Sequence, residues 1–197
     1  LIVSDAWQPQ VNGVVRTLAT LVRELRAMGV VADVVGPDRF RTLPCPTYPD
    51  IRLSLLPARK LASIVTQFRP DALHIATEGP LGMAARALAR RRGWIFTTAF
   101  HTRFPEYLRA RVFVPTAISY AWLRRFHNAG HGLMVATESL SQELASRGFR
   151  HLRSWSRGVD LAQFEPAPRE AWAGLPRPVF LYVGRVAVEK NISAFLS

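Results

Sequence analysis

The chain has 197 residues, 49% hydrophobic and 20% charged, a composition that fits a globular protein with room for one sizeable core and little beyond it. Its formal net charge of +12 favours anionic partners such as nucleotide diphosphates, acidic lipid headgroups or nucleic acid; all of the 26 basic residues except Lys60 and Lys190 are arginine, a bias that a GC-rich genome also produces. The single cysteine, Cys45, rules out a disulfide within the chain and points to a reducing cytosol, and the uncharged stretch 112–123 contains Pro115 and falls short of the roughly 20 residues a spanning helix needs.

In chain order, apolar runs of strand length alternate with amphipathic stretches of helix length. Residues 1–4 predict a strand, and 14–28 a helix with Val15, Leu18, Val22 and Leu25 at spacings of three and four, stopped at Gly29. A second strand, 30–35, ends at Gly36-Pro37, and 39–57 is Pro-rich and irregular with a short strand around 51–55. Then follow a helix at 58–68, a strand at 72–76, a helix at 81–92 and a strand at 94–100, which leads into a loop holding His101. A helix at 115–128, a buried strand at 133–136, a helix at 139–147 with Ser139 as N-cap and Gly148 as stop, and a strand at 151–156 complete the series.

This alternation predicts an α/β fold: a Rossmann-like parallel sheet with helices on both faces. Residues 165–178, EPAPREAWAGLPRP, carry four prolines and no apolar period, as an interdomain linker does. A new strand is expected at 179–183 and the start of a helix at 191–197. The expected organisation is a domain at 1–165, a linker at 166–178 and the truncated start of a second domain at 179–197.

Two loops attract attention on chemical grounds. Residues 5–13 lie between the first strand and the first helix, where an open α/β sheet collects ligands and a helix N-terminus offers N–H groups to a phosphate. Asn12-Gly13 either lets a ligand approach the backbone or only permits a tight turn. The second loop, 183–190, leaves the strand at 179–183 and holds Arg185 and Lys190, which either grip two phosphates or are solvated charges at a helix start. There is no G-x-G-x-x-G, so no dinucleotide cofactor is expected. His127 and His131 lack a third ligand at metal spacing, so no metal is expected either. By position alone His101, at a strand end, is a structural hydrogen-bonding residue, and His74, inside a strand, points into a packed layer or makes one structural hydrogen bond. The stripe Ile118, Trp122 and Phe126, with Arg124 and Arg125 to its side, packs in a core or rests on an anionic membrane, the core being the commoner outcome.

Four ordered segments, PQVNGVVRTL at 9–18, HTRFPEYL at 101–108, SRGVDLAQF at 156–164 and VGRVAVEKN at 183–191, resemble the retaining glycosyltransferases of family four. They are most similar to the mannosyltransferase and sulfoquinovosyltransferase branch that decorates bacterial lipids and polysaccharides. The resemblance spans nearly the whole chain. It implies a GT-B fold, two Rossmann-like domains with the donor in the cleft between them, and no metal or other cofactor. By the resemblance, the partners are a GDP- or UDP-linked nucleotide-sugar and a lipid or glycan acceptor, at a cytoplasmic location or the inner face of the cell membrane. His101 then matches the catalytic histidine facing the reacting sugar, Gly13 lies by the diphosphate and transferred sugar, and Arg185 and Lys190 hold the diphosphate. Asn12, Arg16, Glu78, Arg157 and Asp160 fall on the acceptor side or in the cleft. The family's pair of glutamates in the second domain lies past residue 197, so the chain by itself is expected to be inactive. A competing expectation is a non-catalytic α/β module that holds nucleic acid or another polyanion through its +12 surface; no strand alternates aromatic with basic residues as an RNA reader does, so no specific nucleic acid is expected.

Overall fold

The computed structural model describes residues 1–46, 48–106, 109, 114–159, 164, 174–176, 178–184 and 191–196. Its main sheet has six strands, β1 (Ile2–Val3), β2 (Val34–Val35), β5 (Leu73–Ile75), β6 (Phe96–Ala99), β7 (Gly132–Val135) and β8 (Leu152–Ser154), all parallel, in the order β2-β1-β5-β6-β7-β8. The sequence expectation of a parallel α/β sheet with helices on both faces holds.

Side-chain alternation along the strands sorts the two faces. Val3, Val35, Leu73, Ile75 and Phe96 point to one side and are covered by α2 (Ala58–Phe68) and α3 (Pro80–Arg92). On that same side α4 (Thr116–His127) and α5 (Glu138–Ser146) pack on Leu133 and Val135. Ile2 and Val34 point the other way, onto Leu18 and Val22 of α1 (Gly13–Ala27). Right-handed crossovers require this split, because α1 leads from β1 to a neighbour on one side and every later crossover runs to the other. Leu18, wholly buried, is the centre of the α1 contact; its replacement by Ala should cost about 3 kcal/mol.

Four details depart from the sequence expectations. The Pro-rich stretch forms an antiparallel hairpin, β3 (Thr42–Cys45) with β4 (Tyr48–Ser54), instead of one short strand. Each of its strands pairs on one side only, which is where proline's missing N–H is tolerated. The cap of α5 is Thr137, whose Oγ1 accepts from Leu140 N at 3.3 Å, so Ser139 lies inside the first turn. Helix α4 turns Ser119, Tyr120, Leu123, Phe126 and His127 inward, leaving Ile118 63% and Trp122 39% exposed, so two members of the expected core stripe stand outside. That choice buries Tyr120 where its hydroxyl donates to Glu106 at 2.8 Å. Finally, 179–183 shows no strand, since it finds no ladder partner among the described residues, whereas a short helix at Ser193–Leu196 agrees with the expected start. Most of the expected linker lies outside the described residues.

Candidate active site

Strand order reverses at β1, which has β2 on one side and β5 on the other. In open α/β sheets the loops at such a reversal part above the carboxyl ends of the strands and leave a crevice. Asp5, just past β1, builds its floor. Its Oδ1 accepts from Leu81 N at 2.8 Å and its Oδ2 from Gly82 N at 3.1 Å and from the Thr77 hydroxyl at 2.9 Å, while its own N–H donates to Thr77 Oγ1 at 2.6 Å. The carboxylate thus caps α3 from another strand, an arrangement the α3 macrodipole favours. Gly79 and Gly82 make the approach possible, because a Cβ at the first would run into the Asp5 carboxylate and at the second into the Thr77 carbonyl oxygen. Burial pushes the Asp5 carboxyl above its ordinary value, against the hydrogen bonds from Leu81, Gly82 and Thr77.

Beside Asp5 the β1–α1 loop carries Asn12 and Gly13. Asn12 is the N-cap of α1, and its Oδ1 accepts from Val14 N and Val15 N, both at 3.0 Å. Two of the helix's leading N–H groups are therefore already satisfied, and Gly13 is the position left open: nothing stands within 4 Å of where its Cβ would be. Arg16 lies one turn on, exposed. Between this loop and the hairpin runs a cavity of about 550 Å³, walled by Gln8, Gln10 and Asn12 on one side and by Asp38, Phe40 and Arg52 on the other.

Past β5, Glu78 Oε1 accepts from His127 Nε2 at 3.1 Å, and His127 Nδ1 meets Thr98 Oγ1 at 2.9 Å. Past β6, His101 sits on a loop held by the bond from Phe100 N to Met134 O and by the Arg103–Glu143 ion pair at 2.7 Å. Its Nε2 is buried, without a hydrogen-bond partner among the described residues. Its ring stands edge-on to Trp155, centroids 5.7 Å apart, and the same indole meets His74 at 6.0 Å. His74 Nδ1 is 2.8 Å from Thr97 Oγ1, the structural bond that was one of its two expected roles, and its Nε2 is also buried without a partner among the described residues. Burial lowers both imidazoles, His74 to about 4 and His101 to about 3, the latter helped by the nearby Arg157 cation. Both rings are therefore neutral at pH 7. Arg157, in a left-handed turn at φ 57°, reaches back with Nη2 to the His101 carbonyl at 3.5 Å.

The sequence profile of Glycosyltransferase Family 4 matches residues 11–163. This chain belongs to glycosyltransferase family 4. It is 27% identical to the GDP-mannose-dependent alpha-mannosyltransferase of Mycobacterium tuberculosis over 97% of its own length and 57% of that protein's. To the sulfoquinovosyl transferase of Arabidopsis thaliana it is 28% identical, over 95% of this chain and 41% of the relative. To the alpha-monoglucosyldiacylglycerol synthase of Streptococcus pneumoniae it is 24% identical, over 98% and 50%. The chain thus spans about half the length of the curated relatives it matches.

Within this family member, Asn12, Gly13, Arg16, Glu78, His101 and Arg157 come from loops and helix starts at one edge of the sheet, and Arg157 and His101 touch. Asp160, Arg185 and Lys190 lie outside the described residues. Sequence reasoning passed over Asp5, Thr77, Trp155 and the polar role of His127. An acid directly after an apolar strand was a signal for Asp5; nothing local distinguished Trp155, whose partners lie more than fifty residues upstream. No group of three metal-ligating side chains occurs among the described residues, and none of the helices they form is long and apolar enough to cross a membrane.

Proposed function

We propose that this chain is the acceptor-side half of a retaining glycosyltransferase that moves a hexosyl group, mannosyl among the candidates, from a GDP- or UDP-linked sugar to a lipid or glycan acceptor. In this reading residues 1–165 form the first domain, 166–178 the linker and 179–197 the start of the donor-binding domain. The enzyme works in the cytoplasm or at the inner face of the membrane.

The observation that carries the reading is His101: a neutral imidazole at the carboxyl edge of the sheet, its Nε2 buried and without a partner among the described residues. A buried polar atom without a partner is costly, of order 1–3 kcal/mol, and is retained where a ligand completes it. A sugar hydroxyl or ring substituent is the natural complement. Cleaving a glycosyl phosphate bond builds positive charge on the sugar and negative charge on the departing diphosphate, so the strongest stabilisation belongs at the phosphates. Arg185 and Lys190 supply it, with the open Gly13 backbone lying against the diphosphate and sugar, and no metal is needed. Asn12 then lines the acceptor cavity, with Arg16 one turn further along α1, and Arg157 and Asp160 stand at the domain junction. Retention follows if the acceptor attacks from the face the diphosphate leaves, the phosphate taking its proton.

The test is His101→Ala in the full-length enzyme. Turnover should fall about a hundredfold, while the affinity for the bare nucleoside diphosphate, read by calorimetry, stays within about threefold. A diphosphate affinity that drops as far as turnover would move His101 to the phosphate side and contradict the assignment.

A further inference from the structure

The polar chain behind Glu78 serves no need of the core. His127 is 1% exposed and Thr98 not at all, and the imidazole is closed in by Phe126, Phe149 and Phe100 with centroids 5.1, 6.0 and 6.0 Å away. A leucine or phenylalanine would pack among those rings without the cost of desolvating two polar groups. What the histidine adds is direction. Carboxylate oxygens only accept, so Nε2 carries the hydrogen donated to Glu78, and Thr98 fixes the ring through Nδ1. The backbone of Glu78 is pinned as well, between Thr77, whose hydroxyl donates to Asp5, and Gly79, which packs against that carboxylate. One oxygen of Glu78 is thereby occupied, and the side chain, past the carboxyl end of β5, is 22% exposed.

We propose that Glu78 binds a hydroxyl group of the acceptor substrate and that buried His127, anchored on Thr98, is the residue positioning it. The inference rests on the sugar-transfer reading above. A hydroxyl is the fitting ligand because a fixed carboxylate accepts a charge-assisted hydrogen bond and repels a diphosphate, which separates this position from the donor's phosphates. Preorganisation of this kind places an attacking hydroxyl without loss of rotamer freedom at the moment of binding.

Full-length enzyme carrying Glu78→Gln, His127→Leu or His127→Gln provides the test, with alkyl glycosides and diacylglycerol-containing vesicles as acceptor probes and melting temperature as the check on folding. Glu78→Gln and His127→Leu should each raise the KM for the acceptor by at least about tenfold, while the KM for the donor moves by less than about twofold. His127→Gln, whose amide can still donate to Glu78, should recover most of the loss. If acceptor and donor KM rise together, or only the melting temperature falls, His127 and Glu78 are a structural tie and the inference is overturned. Wild-type enzyme that transfers sugar to none of these probes would overturn the sugar-transfer reading itself, and this inference with it.

Discussion

Two polar clusters lie on adjoining parts of the same sheet edge and are built on opposite terms. Around Asp5, both carboxylate oxygens, the Thr77 hydroxyl and the first amides of α3 are mutually bonded. Around Trp155, by contrast, His74 and His101 each keep a buried Nε2 without a partner among the described residues. Similar burial with unlike satisfaction separates the two: the Asp5 cluster holds the loops after β1 and β5 together, and the Trp155 cluster keeps a nitrogen that, in the proposed function, a sugar completes. Glu78 stands between the two, with one oxygen bonded to His127 and a side chain 22% exposed.

The sharpest way to break this contrast is Asp5→Ala. It strands the Leu81 and Gly82 amides and the Thr77 hydroxyl, so unfolding free energy should drop by about 4 kcal/mol, measured by urea denaturation. A loss below about 1 kcal/mol would mean the crevice floor does not depend on the carboxylate.

Acidification probes the other cluster. His74 and His101 have folded pKa values of about 4 and about 3, below the 6.5 of an ordinary histidine. The folded state therefore prefers the neutral rings: their contribution is fully present above about pH 6.5 and is lost as pH falls towards 4, by order of 2 kcal/mol for His74 alone at pH 4.5. Asp5, shifted upward, works in the opposite sense: its contribution is present below the ordinary carboxylate value and lost as pH rises through the folded one. Urea midpoints at pH 7 and pH 4.5 should differ accordingly, and His74→Gln should flatten the difference. Equal midpoints in the parent protein would contradict the burial of the imidazoles.

The smallest effect is expected at Asn12→Ala, which removes the α1 cap and a 3.3 Å bond to Gln10 Oε1 and should cost about 1 kcal/mol. A much larger loss would show that Asn12 carries weight beyond the helix start.

Much of the scaffold was legible because it follows from periodicity. The α1 stripe of Val15, Leu18 and Val22 and the apolar runs at β5 and β7 are local patterns, and the structure keeps them. The hairpin was hidden because proline lowers strand propensity, and only its two-stranded, one-sided pairing makes Pro44 acceptable. On α4 the expected stripe gives way to a face with Tyr120 and Leu123 inward, and the Tyr120 hydroxyl bonds Glu106 on another segment, a contact that spacing cannot foresee. Within the site, His101 stood out through its motif, but Trp155 and the Glu78–His127–Thr98 chain unite residues far apart in sequence. Such contacts become visible only once strand order is known.

The central proposal is that His101 Nε2 bonds the transferred sugar. Long-range 1H–15N spectra of histidine-labelled full-length enzyme read that nitrogen directly as ligands are added. The account predicts that the His101 Nε2 resonance moves when a nucleotide-sugar or a non-hydrolysable analogue binds, and stays in place when the bare nucleoside diphosphate binds with saturation confirmed by calorimetry. An Nε2 resonance that ignores the nucleotide-sugar, or that responds equally to the diphosphate, would contradict it.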